Sequence, residues 1–190
     1  MLFRSRIADD ILIGGMRLYL VEENNGEKEY YDLGWMSGEF KMEEQADSTA
    51  IKESEGSTVL NLATNKEAHF TFSMLECNLQ TLLKLNPSAV EIGGTGDTTA
   101  DGKGFAVGTY QSDKTFTFEA WLKKRSGKYL CVRIYKGKVS GNLTTLLLNQ
   151  DSESPIDIDI VALGDDSKNT NHNLYEEFEC EAAKAPNGGW

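Results

Sequence analysis

The chain has 190 residues, the length of one ordinary globular domain, and its 30 acidic and 19 basic residues give a formal net charge of −11. A chain this acidic repels phosphate, which argues against a general nucleic-acid-binding role. With 39% hydrophobic residues it is too apolar to be disordered, and no run approaches the roughly 20 apolar residues of a membrane helix. We expect one soluble folded domain over residues 1–190.

Cysteine and histidine usage argues against several kinds of chemistry. Cys77, Cys131 and Cys180 are widely spaced and form no C-x-x-C pair, so we expect buried free thiols. The two histidines, His69 and His172, are far apart in sequence, which argues against a metal cluster or a Ser/His/Asp arrangement. No metal, cofactor or catalytic residue is predicted. The first ten residues carry too much charge for a secretory signal.

The first half of the chain is predicted to be mostly strands. Residues 11–21 alternate like a strand, Asn24-Asn25-Gly26 suits a hairpin turn, and further strands are expected at 28–35 and 38–45. Residues 46–58 are polar and lose this alternation, which predicts a long loop or arm.

The pattern then becomes regular again. The clearest strand covers 67–76 and places His69 on its polar face, where we expect a hydrogen-bonded or solvated side chain. Asn78 and the leucine spacing that follows it predict one short helix over 78–85. The glycine-rich segment 93–104 lacks a phosphate-loop ending, and a surface turn is favoured over a calcium site at Asp97 and Asp101.

The second half is also predicted to form strands. These cover residues 105–111, 115–122, 129–136, 144–148, 156–160 and 177–182, with a turn at Ser126-Gly127-Lys128. A helix over 174–183 competes with the last strand, because Glu and Ala favour helices. About eight strands, one short helix and an irregular tail at 184–190 make an all-β domain.

Charge is segregated along the sequence. Residues 151–190 hold ten carboxylates and two lysines, whereas residues 123–138 hold seven basic side chains and no carboxylate. Such asymmetry steers a partner or lets copies of the chain dock head to tail. Asp157 and Asp159 have a glycosidase-like separation on one strand face, but solvated carboxylates are the preferred interpretation.

The order of these parts resembles bacteriophage tail tube proteins, a family related in fold to type VI secretion tubes. The resemblance covers about residues 10–180 and rests on ILIGGMRLYLV, the hairpin to Gly34-Trp35, the polar arm, AHFTFSMLECNLQTLLKL and PIDIDIVALGDDS. It implies a β-barrel or sandwich with a flanking helix, six copies in a ring, and rings stacked into the tail tube of a virion assembled in the host cytoplasm.

The resemblance also implies partners. DNA and a tape-measure protein would pass through the tube without specific binding. Tail terminator and baseplate or tip proteins would contact its ends, a sheath protein would surround it in a contractile tail, and no membrane is involved. The helix would sit outside the barrel near a subunit boundary. The arm would contact the neighbouring ring through Asp47, Ile51, Lys52, Glu53 and Glu55.

Charge then suggests two further groups of site residues. An anionic wall would let DNA slide past, and the hypothesised lumen-facing residues are Asp157, Asp159, Glu177 and Glu179. A basic hairpin would dock on an acidic segment of the next subunit through Lys123, Lys124, Arg125 and Lys128.

Two alternatives remain. The first is another virion or secretion component, such as a head decoration protein. The second is an all-β carbohydrate-binding module, with calcium at Asp97 and Asp101 and an exposed Trp35, Trp121 or Trp190 to bind sugar.

Overall fold

The structure is a computed structural model that describes residues 12–52, 58–74, 79–86, 88–93, 104–108, 113–140, 156–169, 172–182 and 185–186. These residues form nine strands and one helix, which confirms an all-β fold with one short helix. In chain order they are β1 Leu12–Asn24, β2 Glu27–Lys52, β3 Thr58–Met74, α1 Leu79–Leu85, β4 Ala89–Ile92, β5 Gly104–Val107, β6 Phe116–Lys124, β7 Tyr129–Ser140, β8 Ile156–Leu163 and β9 Tyr175–Cys180.

Six strands pair in a closed circuit. The order is β6-β1-β2-β3-β8-β7, a further pairing joins β7 back to β6, and every pairing is antiparallel. Strand β9 lies outside the circuit and pairs with β7 alone, while β4 and β5 form a separate two-stranded sheet. The circuit therefore has one face directed inward and one directed outward.

The main core fills the inside of the circuit. The alternation seen in sequence supplies it: Phe70 and Phe72 from β3 and Ile158 from β8 are all buried, and their polar neighbours point outward. Helix α1 adds Leu82 and Leu85 to the same core. Burying each such side chain contributes about 1.5–3 kcal/mol, so this inward face supplies most of the stability.

The two predicted hairpin turns are confirmed. Asn25 and Gly26 have φ of 53° and 83°, and Asn24 pairs with Glu27, as in a tight two-residue turn between twisted strands. Gly127 has φ of 84° in the turn between β6 and β7. Both turns use residues that tolerate the left-handed region, which is why they could be predicted locally.

The segment predicted as a loop at 46–58 is largely strand. Strand β2 runs without a break to Lys52, and β3 begins at Thr58, with register pairs from Ala46–Lys66 to Lys52–Thr58. Strand β3 pairs with β8 only from Ala68 to Met74, and its residues before Ala68 pair with β2 alone among the described residues. Residues 46–52 and 58–66, which we call the arm, therefore form a two-stranded ribbon. Residues 46–58 are polar and show no apolar alternation, so the periodicity gave no indication of these strands.

Other predictions meet mixed outcomes. The helix is confirmed, residues 175–180 are strand and not helix, and the strands expected at 28–35 and 38–45 are one strand with a register irregularity between Ser37 and Lys41. The segment predicted at 105–111 is described as a strand over Gly104–Val107. The strand predicted at 144–148 lies outside the described residues.

Strand β7 contains one extra residue relative to β6. Phe118 pairs with Ile134 but Phe116 pairs with Gly137, so a bulge lies between Ile134 and Gly137 and reverses which side chains face inward. A Cβ built on Gly137 would lie 2.6 Å from a ring carbon of Phe118 and 2.8 Å from a methyl carbon of Ile160. Glycine there lets side chains of β6 and β8 pack closely against the backbone of β7.

We predict that Gly137→Ala lowers the free energy of unfolding by about 1–3 kcal/mol, because the new methyl group overpacks this junction. Urea denaturation of the variant and the parent measures the difference. Gly108→Ala is the matched control, since no atom lies within 4 Å of a Cβ built at Gly108. Equal stability of all three proteins would contradict the tight packing at Gly137.

Candidate functional site

The outward face of β8 carries two of the hypothesised lumen residues. The isoleucines of β8 are buried, and Asp157 and Asp159 alternate with them on the outside. The Ser73 hydroxyl donates to Asp157, and the Ser140 hydroxyl donates to Asp159. We call this surface, with His69, the acidic face. It is a fixed set of oriented carboxylates, because each accepts a hydrogen bond from a neighbouring strand.

His69 belongs to this face and is half-buried. Its Nδ1 lies 3.3 Å from both carboxylate oxygens of Asp159, and its Nε2 lies 3.9 Å from Glu67. The prediction of a hydrogen-bonded side chain on the polar side of β3 is therefore confirmed.

A shallow groove of about 490 Å³ runs over the acidic face, lined in part by Glu39, Lys41, Thr71, Ser73 and Asp157. Asp159 lies between His69 and Ser140, so the serine hydroxyl donates to the carboxylate and not to the imidazole. A nucleophilic serine needs contact with the histidine base. This order of groups suits a polar surface better than acyl-transfer chemistry.

The other two hypothesised lumen residues lie elsewhere. Glu177 and Glu179 are exposed on β9, which pairs with β7 over Tyr129 to Ile134, whereas β8 pairs with β7 over Lys136 to Ser140. The four carboxylates thus lie on two strands, β8 and β9, which pair with different segments of β7. They do not form one continuous row.

The lysines of the β6–β7 hairpin bind Glu179 within the same chain. Lys124 contacts one carboxylate oxygen of Glu179, and Lys128 lies 3.1 Å from the other and 3.5 Å from Glu181. The lysine contacts, that of Lys124 first, lower the pKa of Glu179. For Lys124 and Lys128 the predicted acidic partner is therefore present in their own chain.

The remaining hairpin cations have other positions. The Lys123 ammonium lies 5.9 Å from the centre of the Tyr129 ring, and Arg125 is exposed in the turn. An inter-subunit contact through Lys123 and Arg125 stays a prediction.

A buried ion pair on the outside of β6 and β7 was missed by the sequence analysis. The side chain of Glu119 is fully buried, and it accepts hydrogen bonds from Arg133 Nε at 2.7 Å and from Trp121 Nε1 at 3.0 Å. Arg133 also bonds Glu176 of β9 and lies 4.8 Å from the centre of the Phe178 ring. The sequence held one sign of this burial: Glu119 and Trp121 are two residues apart and so lie on the same face of β6. A tryptophan on that face is typical of a face covered by a second layer.

That second layer is aromatic. A second cluster joins Tyr19, Trp121 and Tyr129 to side chains of β9 and to Ala185. Burial raises the pKa of the Cys131 thiol inside it, and among the described cysteines Cys131 is buried and free while Cys180 is free and half-buried. Trp121 is only 2% exposed, so it offers no surface for stacking a sugar. The side chain of Trp35, and Trp190 as a whole, lie outside the described residues.

The predicted arm residues are partly described. Asp47, Ile51 and Lys52 lie in β2 within the arm, and Glu53 and Glu55 lie outside the described residues, as do Asp97 and Asp101. In the described part of the chain no group of three or more His, Cys, Asp or Glu side chains is arranged to hold a metal ion. No described helix is both long and apolar enough to span a membrane.

Comparison with known proteins adds no family. Neither a protein-family model nor a curated protein matches this sequence.

We predict that Glu179→Gln lowers stability at neutral pH by removing the charge that binds Lys124 and Lys128. The folded-state pKa of Glu179 lies below its ordinary value of 4.5, so the carboxylate stabilises the fold above that value, and the contribution is lost as pH falls through the lowered pKa. Urea denaturation from pH 7 down to about pH 4 measures the difference between variant and parent, which should shrink towards the acid end.

Glu177→Gln is the control, because Glu177 is exposed on the same face of β9. If both variants lose the same stability at every pH, the contacts of Glu179 with the hairpin do not stabilise β9.

Proposed function

We propose that this protein is a structural subunit of a bacteriophage tail tube, in which six copies form a ring and stacked rings form the conduit for DNA. The observation that carries the proposal is the arm. Its two strands extend past the closed circuit and, among the described residues, each pairs only with the other over residues 46–52 and 58–66.

An isolated two-stranded ribbon has a physical need for a partner. Each arm strand has one edge of backbone N–H and C=O groups without a neighbouring strand in the described residues, and such edges favour pairing or packing with another chain. A two-stranded hairpin is also marginally stable alone in water. Contact with the neighbouring ring would give the arm a partner for the strand edges that the described residues of its own chain leave open.

The acidic face supports the same proposal. Asp157 and Asp159 are held by Ser73, Ser140 and His69 on the outside of β3, β7 and β8. An anionic wall does not retain DNA, because retention requires cations that neutralise phosphates. Glu177 fits such a wall as an exposed carboxylate, whereas Glu179 is already neutralised by lysines.

The alternative of a carbohydrate-binding module has less support. Such modules stack sugars on exposed aromatic rings, and Trp121 is buried under β9. A head decoration protein shares the need for self-contact but would not form tubes, so the shape of the assembly distinguishes the two.

We predict that the purified full-length protein forms stacked rings with a central hole at high concentration and moderate salt, where repulsion between acidic copies is screened. Negative-stain electron microscopy and sedimentation velocity check this. A protein that stays monomeric at every concentration, or that forms particles without a channel, would contradict the proposal.

A variant without the arm tests whether the arm is needed for stacking. Replacing residues 47–65 by Asn-Gly joins Ala46 to Lys66, which are already register partners, through a turn that suits a tight hairpin. We expect this variant to keep the thermal stability of the parent and to lose stacking.

We also predict that tubes built from the Asp157→Lys/Asp159→Lys variant retain fluorescent double-stranded DNA, while wild-type tubes do not. Two charges per subunit change sign on the acidic face, a net change of +4, so binding should weaken steeply as salt rises. Co-sedimentation of DNA with tubes measures retention.

Glu23→Lys/Glu27→Lys gives the same change of charge at the exposed tip of the β1–β2 hairpin. Equal DNA retention by this control would show that the acidic face has no special place in the assembly.

A further inference from the structure

The place where the arm leaves the sheet contains contacts that the proposed function does not explain. At this root, an open cavity of about 650 Å³ lies between β2, β3 and the segment leading into β9, and its lining includes Glu44, Lys66, His172 and Tyr175. Glu44 and Lys66 belong to the hairpin that continues as the arm, and Tyr175 is the first residue of β9.

Tyr175 joins β9 to both strands of that hairpin. Its ring packs edge-on against the buried Phe70 of β3, with 5.5 Å between ring centres. Its hydroxyl donates a hydrogen bond to Glu44 of β2, and Glu44 also accepts Lys66 Nζ of β3 at 2.8 Å. One side chain from outside the hairpin thus contacts both of its strands where the arm begins.

We propose that Tyr175 is a positioning residue that fixes the direction in which the arm leaves the sheet, by holding Glu44 and Lys66 against β9. Next to this contact, the pairing of β3 with β8 begins at Ala68. The residues of β3 before Ala68 pair only with β2 among the described residues. Two-stranded ribbons twist more freely than sheets, so a side-chain contact at the root controls the angle of everything beyond it.

The ionisation of the pair suits this role. The hydrogen bond to Glu44 raises the pKa of Tyr175 to about 12, so the hydroxyl stays protonated and keeps donating at neutral pH. Lys66 and then Tyr175 lower the pKa of Glu44, so the acceptor stays ionised. The effect of Tyr175 on assembly rests on the proposed function, whereas its effect on the arm of a single chain does not.

Hydrogen exchange of the full-length monomer tests the proposal. Tyr175→Phe keeps the ring on Phe70 and removes only the hydroxyl. We expect amides of the arm to exchange about three- to tenfold faster, as one charged hydrogen bond with partial solvent exposure implies, while amides of β8 keep their rates.

Tyr31→Phe is the matched control. The Tyr31 hydroxyl is likewise bonded to a carboxylate, that of Glu29, which raises its pKa to about 12, but it lies on the part of β2 that pairs with β1. This variant should leave arm exchange unchanged. Unchanged arm exchange in Tyr175→Phe, or equal acceleration in both variants or throughout the protein, would overturn the proposal.

Glu44→Gln provides a second approach if Tyr175→Phe does not fold, because it weakens the same contact from the β2 side. Arm exchange at the parental rate would again overturn the proposal.

The root contact and the tail tube proposal can also fail separately. Faster arm exchange in a protein that never forms tubes would support the root contact and contradict the tail tube. Tubes together with unchanged arm exchange in Tyr175→Phe would do the reverse.

Discussion

The fold depends on strand β7, which pairs with three other strands, β6, β8 and β9. The first part of β7 lies between β6 and β9, its last part pairs with β8, and Gly137 pairs with both β6 and β8. The extra residue between Ile134 and Gly137 reverses the side of β7 that faces inward: Val132 and Ile134 face the main core before it, and Val139 faces it after. At the reversal, Phe118 of β6 and Ile160 of β8 both pack against the backbone of Gly137, where a larger residue would not fit.

Where β9 covers the outside of β7, the side chain of Glu119 on the neighbouring β6 is fully buried and is paired with Arg133. Arg133 lies between Glu119, whose side chain is fully buried, and Glu176 of β9, which is partly exposed to solvent. A shift of β9 along β7 would separate Glu176 from Arg133 and Glu179 from Lys124, so these ion pairs favour one register for a strand that, among the described residues, pairs only with β7. The basic and acidic segments of the sequence therefore meet within one chain, at least through Arg133, Lys124 and Lys128, and need less from a partner than their sequence separation suggested.

Sequence reasoning predicted what is decided locally. The turns at Asn25 and Gly127, the helix, and the buried faces of β3 and β8 follow from backbone preferences and period-two alternation. The closed circuit, the bulge in β7 and the burial of Glu119 depend on which distant strands meet, and single positions carry no such information. The loop or arm predicted at 46–58 is strand over 46–52 and at Thr58, and the ribbon extends to Lys66, beyond the predicted segment; residues 46–58 are polar and show no apolar pattern. For the acidic face, alternation predicted the outward aspartates but not their hydroxyl and imidazole partners on β3 and β7.

The β2–β3 hairpin links the two features on which the proposed function rests. Its inner half borders the acidic face through His69 and Ser73, and its outer half is the arm. In a tube, the surface that contacts the next ring and the surface that lines the channel must keep a fixed relative position within each subunit. Otherwise the channel would change shape as rings stack. A continuous pair of strands held at the root by Tyr175 satisfies that requirement more directly than a loop would. The wall and the ring contact would then be parts of one stiff element, and subunits that dock through the arm would bring their acidic faces into register.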